Sequence, residues 1–493
     1  MTHSDTTMPS RIRLAALALL PIALASPGAP AAPAWTLPPP IAAALEKAHV
    51  PSSALALWVQ PVDTPTPSWG WNPDFGVNPA SVFKLVTTSA ALDTLGPAWT
   101  WKTGVYVTGP IRANGQLDGS VVIVGGGDPS LVMERVWLLL RQLRDAGVRD
   151  IRGDIVLDHT GFAPSARSAA DFDNAPSEPY NVLPDALLMN FRSVTLAFHP
   201  DANGKVAHVS SEPPLAGLRV DATVPLSHGA CDDWRGALRL VADDPSHWHF
   251  GGAYPARCGA RNWPLAYPEP ASYERRLVTA LWREVGGKLS GQVRDGALPE
   301  GATLAFAYES PQLAQIVRDI NKFSNNTMAE QLFLTLASNA MPGAPATGGD
   351  AKPEQAQAVL SRWLHERLGS AADGVVVVNG SGLARETRIS ARTLGALLQS
   401  DWARPAMPEL MSSLPISGVD GTLRRSGAST GRAHLKTGSM RDVIAVAGYV
   451  LADSGRRYIL VAVVNDPGAN AARPALDAAI DWVASDPALA KAP

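Results

Sequence analysis

Cysteine is nearly absent from this chain: Cys231 and Cys258 are the two in 493 residues. They can form one disulfide, or join His247 and His249 in a metal site. The H-W-H spacing is unlike common zinc-ligand spacings. Charge of one sign is equally scarce. Lys+Arg number 42 and Asp+Glu 45, for a formal net charge of −3, and no Lys/Arg block stands out. That argues against a nucleic-acid or other polyanion partner. Long apolar runs are lacking beyond the N-terminus. The run there, Leu14–Ala25, is too short to span a bilayer comfortably and is broken by Pro21. No transmembrane anchor is therefore expected. No internal repeat and no low-complexity tract beyond an Ala/Pro-rich leader is found. No nucleophile elbow is recognised and no histidine stands in a motif, which argues against a Ser-His-Asp hydrolase.

A 46% hydrophobic and 18% charged composition supports a packed globular protein of more than one domain. Arg11 and Arg13 precede the apolar run, and Ala23 and Ala25 supply small residues in an A-x-A arrangement. This is the layout of a secretory signal peptide, with a second small-residue site at Ala32-Pro33-Ala34. No cysteine lies near the cleavage region, so a lipoprotein is not expected. Residues 1–34 are assigned to the leader, with cleavage near 25 or 34. An exported chain enters an oxidising compartment, which favours pairing of Cys231 with Cys258 over the metal site. The fourteen tryptophans could suggest glycan binding, but core and interface packing explains them more simply.

Element order suggests one domain built from both ends of the chain. "SALALWVQPV" (Ser53–Val62) is strand-like, and "DVIAVAGYVLADSGRRYILVAVVN" (Asp442–Asn465) alternates like a hairpin turning at Ser454-Gly455. The middle, Trp101–Gly301, reads as a large insertion of short strands, helices and Pro/Gly-rich segments. Termini that lie close together make such an insertion tolerable.

Chemistry concentrates in three places. The first is "NPASVFKLVTTSAAL" (Asn78–Leu92), read as a helix start with Asn78 as cap and Pro79 at the first helical position. Ser81 and Lys84, three residues apart, share one helix face. A serine hydroxyl needs a base, and a lysine can be one if burial or a cationic neighbour lowers its pKa. The helix N-terminus favours negative charge developing at Ser81. Alone, S-x-x-K is weak; roughly one or two chance matches are expected in a chain this long. The second place is Ser324-Asn325-Asn326, at the start of a helical pattern. The third is "HLKTGSM" (His434–Met440), where Lys436 and Thr437 offer a cation and a hydroxyl to an anion. Gly438 there is expected to let a substrate backbone approach. Lys102-Thr103-Gly104 repeats the last triplet at a strand start, ahead of Ser324 and away from the hairpin, and is read as a decoy.

The order S-x-x-K, S-x-N, K-T-G is the signature of penicillin-recognising serine enzymes. The long gap from Ser81 to Ser324 narrows the match. The chain resembles the class C low-molecular-mass penicillin-binding proteins, the D-alanyl-D-alanine carboxypeptidase/endopeptidases of the DacB type. Further likeness lies in Gly125–Leu131, Ile151–Asp158, Pro179–Phe191, Asn379–Ser390 and Ser413–Leu423. One departure is Asn379, where the family often has Asp; it is expected to affect local turn structure more than chemistry.

The resemblance implies an α+β (mixed α/β) fold. An antiparallel sheet covered by helices would form the catalytic domain, 35–100 and 302–493. Inserted domain II would take 101–189 and 266–301, and inserted domain III 190–265. It implies that Ser81 attacks the bond between two D-alanines and that Lys84 takes its proton. Ser324 would relay a proton to the leaving amine, and Asn326 would hold a substrate amide and help place Lys84. Lys436, with Thr437, would bind the terminal carboxylate. The N–H groups of Ser81 and Ser439 would form the oxyanion hole. Peptidoglycan stem peptides would be the substrates, and β-lactams covalent inhibitors, in the periplasm. No cofactor or metal is needed, and a homodimer is left open. The rivals are a serine β-lactamase and a non-catalytic cell-wall scaffolding protein.

Overall fold

The computed structural model describes residues 36–64, 68–339, 350–487 and 489. The expected leader lies outside the described residues. At the centre is a five-stranded antiparallel sheet. Its strands are β1 (Leu55–Pro61), β2 (Trp69–Trp71), β3 (Ala433–Met440), β4 (Val443–Leu451) and β5 (Arg457–Asn465), in spatial order β2-β1-β5-β4-β3. The first strand of the chain thus lies beside the last, joining both ends of the sequence in one sheet. Gly455 turns the β4–β5 hairpin with a positive φ of 82°, a conformation that costs glycine little.

The central strands are buried on both faces rather than alternating. All seven residues of β1 are buried, as are eight of nine in β4 and seven of nine in β5. Helices explain this, because each face has a layer on it. Helices α1 (Pro39–Lys47) and α5 (Arg473–Ser485) pack together on the sheet. The opposite parity, Ala56, Trp58, Ala445, Ala447, Ile459 and Val461, shares a core with Leu394, Leu397 and Leu398 of helix Ala391–Trp402. Helix α2 (Lys84–Thr94) belongs to the same core, and nine consecutive residues from Lys84 to Leu92 are buried. Such all-round burial marks a helix at the heart of a domain.

Between α2 and the later helices α3 (Leu313–Phe323) and α4 (Asn326–Asn339), the chain builds two further five-stranded sheets. One contains Lys102–Val107, Val121–Val124, Ile155–Asp158, Val293–Asp295 and Thr303–Glu309. The expected division at 302 therefore falls just ahead of a strand that pairs with Lys102–Val107. The other sheet is built from segments between Ser193 and Ala266. Apolar residues of both sheets and of helices Met133–Asp145 and Pro270–Glu284 share one core. Cys231 and Cys258 are joined by a disulfide at its edge. His247 faces Asp221, with its Nε2 3.1 Å from Oδ1. The two ends of this long excursion meet. Ser310 N donates to Trp101 O at 3.0 Å, and Trp101 N donates to Ser310 Oγ at 2.9 Å.

Candidate active site

Ser81 sits in a short 3₁₀ turn, Ala80–Phe83, that runs directly into α2. The expected α-helical start at Pro79 is replaced by a sharper entry. Ala80 has a positive φ of 47°, which a non-glycine residue adopts only when its surroundings enforce it. Asn78 provides much of that enforcement. Its Oδ1 accepts from Ala80 N at 2.8 Å, and its Nδ2 donates to the carbonyls of Ala384 and Arg385. Its backbone is clamped by Asn465 at the end of β5, with 2.8 and 2.9 Å bonds in both directions. Asn78 is therefore not the helix cap expected of it, because the helical turn begins after Pro79 with no side-chain cap; it shapes the turn ahead of the nucleophile and fastens it to the sheet.

Strand β3 completes that turn. A Cβ on Gly438 would lie 2.5 Å from Pro79 O and 3.2 Å from Ser81 N. The backbone that needs the missing side chain is the protein's own. Thr437 is half-buried and its Oγ1 is 2.7 Å from Thr422 Oγ1; Ser439 is exposed at the strand's outer end.

Lys84 is completely buried. Its Nζ donates to Ser81 Oγ at 2.9 Å, Asn326 Oδ1 at 2.6 Å and Ser381 O at 2.7 Å. Burial drives its pKa well below the ordinary lysine value; the Lys436 charge pushes it down further, and Glu330 opposes. Lys436 is also fully buried, and burial lowers its pKa to about 7. Its Nζ donates to Ser324 Oγ at 2.9 Å and Thr437 O at 2.7 Å.

Ser324 is the single-residue link between α3 and Asn325, just ahead of α4. It holds a left-handed conformation with φ 58°. Lys322, buried beside it, donates to Leu414 O and to both oxygens of Asp420, at 2.6–2.9 Å. This fixes the end of α3 against the 414–420 segment. Asn326, first residue of α4, accepts from Lys84 and donates through Nδ2 to Tyr180 O at 3.2 Å. The structure thus forms two hydrogen-bonded groups, Ser81–Lys84–Asn326 and Ser324–Lys436, whose lysines act on each other through charge, with Thr437, Gly438 and Ser439 on the adjoining edge strand.

Sequence reasoning missed three contributors. Ser381 supplies a carbonyl to Lys84, although it lies inside the Asn379–Ser390 stretch already singled out. Asn379 Oδ1 accepts from Ser381 N and Gly382 N at 3.2 and 2.9 Å. It therefore shapes a turn, as expected, and that turn presents the Ser381 carbonyl to Lys84. Glu330 and Arg167 form an ion pair beside Ser381 and carried no motif signal. Two look-alikes fall away. Lys102 is exposed and lies 3.7 Å from Glu309 across its strand pair. Gly427–Gly431, G-A-S-T-G, has the letters of a nucleophile elbow that the motif reading passed over. Its Ser429 lies in a turn before β3 with Oγ on Asp481 at 2.7 Å.

A serine and a lysine on one buried helical turn, beside the edge strand of a helix-covered antiparallel sheet, define the penicillin-recognising class of serine hydrolases. Residues 38–486 match the D-Ala-D-Ala carboxypeptidase 3 (S13) family. The chain belongs to that family and is a serine-type D-Ala-D-Ala carboxypeptidase. It is 29% identical over 429 residues to the D-alanyl-D-alanine carboxypeptidase of Actinomadura sp. (strain R39), covering 82% of this chain and 76% of that one. It is 24% identical to the D-alanyl-D-alanine carboxypeptidase DacB of Haemophilus influenzae, covering 78% of this chain and 80% of the relative. The crystal structure of penicillin binding protein 4 (dacB) from Haemophilus influenzae shares its fold, with a TM-score of 0.69. The match is at 22% identity over 86% of this chain and 93% of the other.

Proposed function

We propose that Ser81 is the nucleophile of D-Ala-D-Ala cleavage and Lys84 its base. The observation that carries this is the Lys84 Nζ, buried and 2.9 Å from Ser81 Oγ. Depressed pKa and short reach together suit a general base. Ser81 Oγ attacks the carbonyl carbon while its proton passes to neutral Lys84. The N–H groups of Ser81 and Ser439 receive the developing oxyanion. The tetrahedral intermediate collapses as the C–N bond breaks. The departing amine takes a proton through Ser324, which Lys436 already touches; the two lysines give up the proton gained from Ser81, so that Lys84 is neutral again. Water then hydrolyses the ester and frees Ser81.

Lys436 and Thr437 hold the terminal carboxylate in this reading, and Asn326 a substrate amide. β-Lactams present a similar carboxylate and a strained amide, so they acylate Ser81. The same site is proposed to cut D-Ala cross-links, with export to the periplasm by the N-terminal leader. The catalytic domain is proposed to comprise the two outer segments of the chain. The excursion between Trp101 and Ser310 supplies domains II and III.

Mass spectrometry after incubation with benzylpenicillin tests the nucleophile. A penicilloyl adduct is expected on Ser81 and absent in Ser81→Ala. An adduct at another residue overturns the assignment.

A further inference from the structure

We propose that Glu330 and Arg167 form a positioning pair through which the inserted region sets the proton affinity of Lys84. This rests on Lys84 being the base. Glu330 lies on α4, one turn beyond Asn326, and its carboxylate is nearly buried. Ser381 Oγ donates to Glu330 Oε1 at 3.0 Å. The carbonyl of the same Ser381 accepts from Lys84 Nζ at 2.7 Å. Glu330 thus steadies the loop that holds the lysine, and it places a negative charge behind it.

The other carboxylate oxygen, Oε2, accepts from the Arg167 guanidinium. Arg167 comes from the long excursion, far from α4 in sequence. Backbone carbonyls of the same excursion cover the start of α4: Tyr180 O accepts from Asn326 and Val182 O from Thr327. The excursion therefore sets the Arg167 charge against Glu330, which it offsets.

The signs follow from the charged groups around Lys84. Lys436 faces it from β3 and lowers its proton affinity, and Glu330 faces it from α4 and raises it. Asn379 and Ser381, from the remaining neighbouring loop, are neutral. Arg167 stands behind Glu330. Removing Glu330's charge makes Lys84 easier to deprotonate, whereas removing Arg167 leaves Glu330 unopposed and makes Lys84 harder to deprotonate.

The test is the pH dependence of benzylpenicillin acylation in the full chain. In Glu330→Gln, which retains an acceptor for Ser381, the acidic limb is expected to move down by about one pH unit. In Arg167→Ala it is expected to move up by a smaller amount. The double variant should lie between the two single variants, because the opposite shifts of the two charges add. General loosening of the site would lower the rate at all pH values without moving the limbs oppositely. Limbs that stay at the wild-type pH, or move in the same direction, overturn the proposal. Loss of all acylation in Lys84→Ala but not in these variants keeps the base assignment separate from this one.

Discussion

Lys436 on β3 and Ser324 at the end of α3, 112 residues apart in sequence, meet at 2.9 Å. No carboxylate among the described residues is hydrogen-bonded to the lysine. Among the described residues its polar partners are a hydroxyl and a backbone carbonyl. The pair therefore leaves a cation without a carboxylate partner among the described residues, as the proposed binding of a substrate carboxylate requires.

This gives a pH prediction. Lys436, with its pKa lowered to about 7, loses its proton as pH rises through neutrality in the free enzyme. The proposed base role of Lys84 needs it neutral, which would set the acidic limb. The kcat/KM for a D-Ala-D-Ala peptide should fall above about pH 7. The alkaline limb of kcat should lie higher, because a bound carboxylate stabilises the ammonium. Equal alkaline limbs in the two profiles would contradict carboxylate binding by Lys436.

Gly438→Ala should give a folded protein that acylates at least ~100-fold more slowly. Its new methyl would meet Pro79 O at 2.5 Å and press on Ser81 N. Small displacements at reacting groups cost about that much in rate. Circular dichroism beside stopped-flow acylation checks both halves.

Lys84→Met should abolish acylation yet raise the Tm, by roughly 1–4 °C if about 1 kcal/mol is relieved. The buried amine is kept for chemistry, at a cost in desolvation of a polar group. Calorimetry of the two proteins decides it, and a lowered Tm would show that the three hydrogen bonds of Lys84 outweigh its burial.

Cys231→Ser with Cys258→Ser should destabilise the inserted region while leaving acylation of Ser81 unchanged. The bridge spans a sequence separation of 27, for which loop closure contributes about 3–4 kcal/mol. Limited proteolysis should place new cuts between 190 and 266.

Much of this was legible in the sequence because it was local. The S-x-x-K spacing put two side chains on one turn, and the order of three triplets supplied their company. The hairpin was visible from Ser454-Gly455, but not its burial on both faces, which depends on helices at the two chain ends. Ala80's positive φ has no sequence signal, since alanine rarely adopts it. Gly438 was noticed for its lack of a side chain, but the close approach of Pro79, 359 residues earlier, had no sequence signal. Glu330 and Arg167 were invisible for the same reason: a charge pair 163 residues apart leaves no periodicity.

The clasp between Trp101 and Ser310 has an architectural consequence. The chain leaves the catalytic layers and returns to them at one point, so the excursion has a doorway two residues wide. Everything beyond that doorway can change in length or shape without re-threading the sheet. A shortened chain joining Trp101 to Ser310 through a brief Gly-rich turn is expected to keep the sheet's threading but to lose Phe162 and Ala186 from the core they share with it. What it would forfeit is the roof that Arg167, Tyr180 and Val182 lay over α4. Foldability and reactivity are thus separable along the chain, one secured by the doorway and the other by what leans back through it.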